Sequence, residues 1–170
     1  GRYVLLRIAR DVAAGAGDVQ TALGAIDEMA RLYNVEAMPM KVEVLTTAAK
    51  SVNLPIQREA VVEETMLLIG AAVARDDYET AERLGRVASG VARRVRNASL
   101  AKTVVTLNRD VLKVRTAYEA AKKALAVLEA NPADPAANLT AGKFYCLVKD
   151  DWEKGIPMLA LGSDAKLAKL

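Results

Sequence analysis

Asp-Asp-Tyr-Glu-Thr-Ala, at residues 76–81, recurs in related form at two other places in this chain of 170 residues. Gly-Asp-Val-Gln-Thr-Ala occupies 17–22, and Asp-Asp-Trp-Glu-Lys-Gly occupies 150–155. Each copy joins two stretches in which apolar residues recur with the period of an α-helix. The repeated unit is therefore predicted to be a helix-turn-helix hairpin.

Each copy places an aspartate where the second helix of a hairpin begins. An aspartate at this position can accept hydrogen bonds from the unpaired amides of the first turn, and its charge favours the positive end of the helix dipole. The next residue is large and is expected to pack across the turn onto the preceding helix. Three positions later a small residue is expected to let the two helix backbones approach closely. The aspartates are Asp18, Asp77 and Asp151, the large residues Val19, Tyr78 and Trp152, and the small residues Ala22, Ala81 and Gly155.

This combination of turn, large residue and small residue resembles the tetratricopeptide repeat (TPR), in which an acidic or glycine turn and an aromatic residue open the second helix of each hairpin. The resemblance implies stacked hairpins that present a surface to other proteins. The predicted caps, however, lie 59 and then 74 residues apart, which are not multiples of the 34-residue repeat. The hairpins are therefore expected to be irregularly spaced, because extra helices at about 35–52 and 98–130 lie between them.

The whole chain is also similar to the degenerate TPR-like helical domains of large multi-domain proteins from planctomycete-type bacteria. Arg-Tyr-Val-Leu-Leu-Arg at 2–7 and Asn-Pro-Ala-Asp-Pro-Ala-Ala-Asn-Leu at 131–139 carry this second resemblance. It implies a bacterial scaffold domain and favours an exported protein over a cytoplasmic one. Because the chain starts at Gly1 rather than at a methionine, it is expected to be a piece of a longer protein.

Composition and the residues that end helices predict one all-α domain over 1–170, with about eight antiparallel helices. The resemblance to the tetratricopeptide repeat implies that these helices stack as hairpins in a TPR-like α-solenoid. The hydrophobic fraction of 52% comes mainly from Ala, Val and Leu, because aromatic residues make up only 4%. No run of about 18 apolar residues is present, so no membrane span is expected. The helices are predicted at about 3–14, 19–33, 35–52, 56–75, 78–95, 98–130, 136–148 and from 152 onward. Asn97 or Ser99 is expected to cap the sixth, with a break near Asn108 left open.

Few residues suited to catalysis are present. The chain has no histidine, which removes the commonest general base and the commonest zinc ligand. Cys146 is the single cysteine, so neither an intrachain disulfide nor a thiolate cluster can form, and we expect it to be buried. The adjacent aspartates at 76–77 and 150–151 are explained by helix capping. We therefore predict no catalytic, metal or cofactor residue, and a protein that is not an enzyme.

A basic stretch is the strongest functional lead in the sequence. Residues 83–123 contain eleven Lys and Arg side chains against only Asp110 and Glu119. Such a region can attract nucleic acid or another polyanion, although only Tyr118 is available there for base stacking. The alternative is a solvated surface whose arginines pair with acids on neighbouring helices. The candidate residues are Arg86, Arg93, Arg94, Arg96, Arg109 and Lys113.

Two functions follow from these patterns and remain open at this point. The first is a protein-interaction or scaffold domain of a multi-domain protein, with a protein or peptide partner. The second is polyanion binding, nucleic acid included, through the basic 83–123 face. Self-association through the C-terminal helix is a further expectation, because several leucines near the end of the chain would gain from burial against another surface. These leucines are Leu159, Leu161, Leu167 and Leu170.

Overall fold

The computed structural model describes residues 1–167, and within that range the chain forms eight helices and no β-strand. The predicted all-α class is confirmed, and the helices pack in neighbouring pairs. Asn97 caps the sixth helix by accepting a hydrogen bond from the amide of Leu100 at 3.0 Å. The helices are α1 (Arg2–Ala16), α2 (Val19–Leu32), α3 (Ala37–Ser51), α4 (Pro55–Ala74), α5 (Tyr78–Ala92), α6 (Ala98–Ala130), α7 (Pro135–Leu147) and α8 (Trp152–Ala160).

Three hairpins account for the most extensive helix packing. They pair α1 with α2, α4 with α5 and α7 with α8, and each is joined by one copy of the recurring sequence. Helix α3 packs mainly on α2, with smaller contacts to α1, α4 and α5. The repeated sequence therefore marks the hairpins, while α3 and α6 are the additional helices that its uneven spacing predicts.

The chain divides into two compact units, a first unit of residues 1–111 and a second unit of residues 112–170. Helix α6 contributes its beginning to the first and its remainder to the second. The prediction of one domain over 1–170 stays a prediction. The first unit has a core of large aliphatic side chains, including the fully buried Ile26, Leu45, Ile69 and Leu84. One buried cluster of the second unit consists of Ala124, Ala137 and Ala141.

A left-handed residue ends the first helix of each hairpin. Gly17, Asp76 and Asp150 have φ angles of 78°, 58° and 54°. In the first two copies the following amide, that of Asp18 or Asp77, donates at 2.9 Å to a carbonyl five residues earlier. This geometry satisfies carbonyls that the end of a helix leaves unpaired. Glycine adopts it without strain, whereas aspartate tolerates it at some cost.

The following aspartate then caps the next helix in each copy. Thr21 lowers the pKa of Asp18 below its ordinary value, first through a hydrogen bond from its side chain and then through one from its backbone amide. The carboxylates of Asp18, Asp77 and Asp151 accept from the backbone amides of Thr21, Thr80 and Lys154 at 3.1, 3.0 and 3.1 Å.

Several predicted boundaries shift by up to three residues. Helix α3 begins at Ala37 rather than Val35, because Glu36 is still extended. Helix α5 ends at Ala92 rather than Val95, since the amide of Arg94 turns back to bond the carbonyl of Val91 at 2.8 Å. Helix α6 is continuous through Asn108, so the break that the sequence left open does not occur.

Among the residues that the structure describes, no helix combines the length and the apolar character needed to cross a membrane. Of the four C-terminal leucines, Leu159 is buried, Leu161 is exposed and Leu167 is half-buried. Leu170 lies outside the described residues.

Candidate interaction surfaces

The large residue after each cap does not have the same role in all three hairpins. Val19 and Tyr78 are buried, as expected for side chains that pack across the turn. Trp152 is 45% exposed, so in the third copy this side chain is covered only in part. Its indole N–H donates to Asp150 Oδ1 at 2.7 Å, which holds the ring at the turn and leaves much of it in water.

The small residue of each copy is buried, and in the third copy the helix approach requires it. A Cβ on Gly155 would collide with the Sγ of Cys146 and would lie 2.9 Å from the Cys146 amide nitrogen and 3.0 Å from the Gly142 carbonyl. The backbones of α7 and α8 are therefore in contact at this point. Ala22 and Ala81 are almost completely buried at the equivalent positions.

Cys146 belongs to this packing. Its side chain is 1% exposed, and burial raises the pKa of the thiol, with a smaller contribution from the negative charge of Asp151. A buried, protonated thiol is a poor nucleophile, because the thiolate is the reactive form. The expectation that Cys146 is buried is confirmed.

Three basic residues of the first unit form an exposed stripe along α5 and its C-terminal end. We define the basic stripe as Arg83, Arg86, Gly90 and Arg93, which share one face because their spacings of three to four residues match the helical period. Arg93 keeps helical backbone angles just beyond the end of α5. All three arginines are exposed, and nothing lies within 4 Å of the position that a Cβ on Gly90 would take.

The six predicted polyanion residues are all exposed, but they are engaged differently. The guanidinium of Arg94 donates to the carbonyl of Ala49, so this side chain caps the C-terminal end of α3. Arg109 pairs with its chain neighbour Asp110 at 3.4 Å. Within residues 1–167, Arg86 and Arg96 form no ion pair. Lys113 belongs to the second unit, so the six residues do not form one site within a single unit.

The second unit contains an apolar groove that the sequence analysis missed. Its volume is about 320 Å³, and its lining includes Phe144, whose ring centroid lies 6.0 Å from that of Tyr118. Leu147 on its wall is 69% exposed. The only sequence signal for this groove is the four-residue spacing of Leu139, Lys143 and Leu147. The apolar groove is lined by Ala117 and Ala120 of α6 and by Leu139, Thr140, Lys143, Phe144, Leu147 and Val148.

The first unit has two further surface features. A polar cavity of about 420 Å³ includes Arg75, Asp77 and Arg83 in its lining, and its aspartate already caps α5. Helix α1 carries an exposed apolar face, described here as the α1 face, whose members recur at helical spacing. These members are Val4, Leu5, Ile8 and Val12.

In the described part of the chain, no three Cys, Asp or Glu side chains are grouped so that they could hold a metal ion. Comparison of the chain with protein-family models, with curated proteins and with solved structures finds no match.

Proposed function

We propose that this chain is a non-catalytic protein-interaction or scaffold domain, with its hairpins stacked as a TPR-like α-solenoid. The apolar groove is the observation that carries the proposal. A concave apolar surface with a large exposed side chain such as Leu147 keeps hydrocarbon in water, and a partner that covers it gains the free energy of that burial. The α1 face offers a second surface of the same kind.

Photo-crosslinking tests this proposal directly. Benzoylphenylalanine replaces Leu147 in one variant and Lys122 in a matched control, because Lys122 is exposed but lies about 160° around α6 from the groove residue Ala120. We expect irradiation in cells to attach a defined protein to the Leu147 variant and not to the Lys122 variant. Identical crosslinking patterns for the two variants, or no crosslinked protein at Leu147, would contradict the proposal.

Polyanion binding through the basic stripe together with Arg96 is a second candidate function. It is supported by the exposure of Arg86 and Arg96 and by their lack of an ion pair within residues 1–167. Gly90 adds to this, since the missing side chain lets a backbone of sugar and phosphate approach α5 closely.

The salt dependence of binding to a 20-base-pair DNA duplex tests this candidate by fluorescence anisotropy. If about four phosphates are neutralised, the affinity falls about 100-fold between 50 and 200 mM salt. The double variant Arg86→Glu with Arg96→Glu is expected to abolish most of this binding. Arg7→Glu on α1 is the control, and an equal loss in the control would reject the stripe and Arg96 as the site.

A further inference from the structure

We propose that the apolar groove of the second unit binds an amphipathic helix that carries acidic residues beside its apolar face. This inference rests on the proposed function and specifies the class of partner at that site. The shape of the groove argues for a helix, and the charges at its edge argue for acidic flanks.

The groove has the form and length that a short helix needs. One wall is α7 from Leu139 to its end near Val148, about 13 Å at 1.5 Å per residue, or about two and a half helical turns. The other wall is α6, where Ala117 and Ala120 have small side chains that leave room for a third helix. A partner helix with apolar residues at positions i, i+3 or i+4, and i+7 fills such a space.

One lysine lines this apolar surface, and a second lies near it on α6. Lys143 stands between Leu139 and Leu147 on the exposed face of α7, and Lys123 lies one turn along α6 from Ala120. Both side chains are exposed, and neither forms an ion pair within the described residues. The nearest acid on this part of α6 is Glu119, which points about 100° around the helix from Ala120. Carboxylates on a bound helix would therefore meet positive charge at the edge of the groove.

Neither the α1 face nor helix α8 of a second copy of this chain suits the groove. The α1 face is apolar, but α1 carries Arg2, Arg7 and Arg10 against a single acid, Asp11, so it would bring positive charge to the lysines. Helix α8 exposes two large apolar side chains, Trp152 and Ile156, fewer than the three anchors that the groove accommodates. An acidic amphipathic helix from a different protein matches both the length of the groove and the positive charge at its edge.

A displayed library of helical peptides tests the inference. Each peptide has 14 residues, with leucine fixed at i, i+3 and i+7, and six flanking positions that vary among Glu, Gln and Lys. Yeast cells displaying the library are selected on the full chain. At a flank position that faces a lysine of the groove, Glu gains about as much as Lys loses, so we expect Glu to outnumber Lys about fivefold there, which corresponds to about 1 kcal/mol.

Three variants separate the possible outcomes, with circular dichroism as the check that each remains folded. Leu147→Asp is expected to remove binding, Lys143→Glu to shift the selection toward Lys, and Lys122→Glu to leave it unchanged. Equal selection of Glu and Lys would contradict the inference that the partner helix is acidic, but it would be consistent with a groove that binds proteins. No Leu147-dependent binder, or a dimer in light scattering that Leu147→Asp makes monomeric, would overturn the helix inference even if the crosslinking experiment captures a partner.

Discussion

Single glycines of this chain have opposite structural meanings. Gly155 lies where α7 and α8 touch, and its missing Cβ is what allows the contact with Cys146 and Gly142. Gly90 lies in the last turn of α5, where a Cβ would meet no atom within 4 Å. The first glycine is required by packing, whereas the second costs helix stability and satisfies no contact within the described chain.

Two alanine substitutions should therefore change stability in opposite directions. Gly155→Ala inserts a methyl group into a backbone contact and is expected to lower the free energy of unfolding by about 1–3 kcal/mol. Gly90→Ala is expected to raise it by about 0.5–1 kcal/mol, because alanine loses less backbone entropy in a helix. Urea denaturation of both variants beside the wild type measures the difference. The same sign for both changes would contradict this account of the two sites.

Cys146 gives the protein a predictable weakness at alkaline pH. Burial raises the pKa of the thiol above its ordinary value of 9.0, so its contribution to stability is complete below that pH and is lost as the pH rises toward the folded-state pKa. We expect the free energy of unfolding of the wild type to fall above pH 9 more steeply than that of Cys146→Ala, which cannot titrate. Chemical denaturation at pH 7 to 10 measures both free energies of unfolding. If the two fall in parallel with pH, titration of Cys146 does not cause the loss of stability.

Sequence reasoning succeeds at residues whose partners are close in the chain. The cap at Asp77 needs only the amide of Thr80, three residues away, so the sequence contains both partners. Trp152 is much more exposed than Tyr78 at the equivalent position, because exposure depends on side chains that are distant in sequence. The link between Arg94 and Ala49 was not predictable for the same reason, since 45 residues separate the two.

At the scale of the element, the turn between α4 and α5 combines a strained residue with a cap. Asp76 adopts a left-handed conformation that glycine occupies in the first copy of the sequence, and the hydroxyl of Tyr78 donates to its carboxylate at 2.8 Å. Asp77 then caps α5. The carboxylate of Asp76 accepts from Tyr78 and that of Asp77 caps α5, so each of the paired aspartates has its own structural role.

Removal of the second aspartate should weaken α5 specifically. Asp77→Ala deletes the acceptor of the Thr80 amide and is expected to lower the free energy of unfolding by about 1 kcal/mol. Asp77→Asn keeps a side-chain oxygen at the cap and is expected to recover most of the loss. Thermal and urea denaturation of the two variants provide the comparison. Equal destabilisation by Ala and Asn would show that the cap hydrogen bond is not the cause.

Helix bounds could be predicted closely because caps and turns are local, but the surfaces between helices could not. The sequence left a break at Asn108 open, and the structure explains its absence. The Asn108 amide donates to the carbonyl of Gly85 at 3.1 Å and to the hydroxyl of Ser89 at 2.8 Å, so a side chain that often ends helices is satisfied by α5 instead. The apolar groove escaped detection because its two walls come from different helices.

At the scale of the whole molecule, the two units differ in the chemistry of their cores. The first unit buries Ile26, Leu45, Ile69 and Leu84 completely. The second unit buries Phe144, Cys146 and Leu159, but its clustered core consists of alanines supported by partly buried side chains. Stabilisation by burial grows with the apolar area removed from water, so less of it is available per helix in the second unit. Its Leu147 leaves apolar area in water, and a partner in the proposed site would bury this area.

We therefore expect local opening to be easier in the second unit. In hydrogen–deuterium exchange, amides in the middle of α7 should be protected at least about tenfold less than those in the middle of α4, which corresponds to about 1.4 kcal/mol. Leu159→Ala removes one of the few large buried side chains of the second unit and should accelerate exchange in α7 and α8 further. Equal protection of α4 and α7 in the wild type would show that its small-residue packing compensates for the missing apolar area. A peptide selected for the apolar groove should slow exchange in α7, because it supplies the burial that this unit lacks.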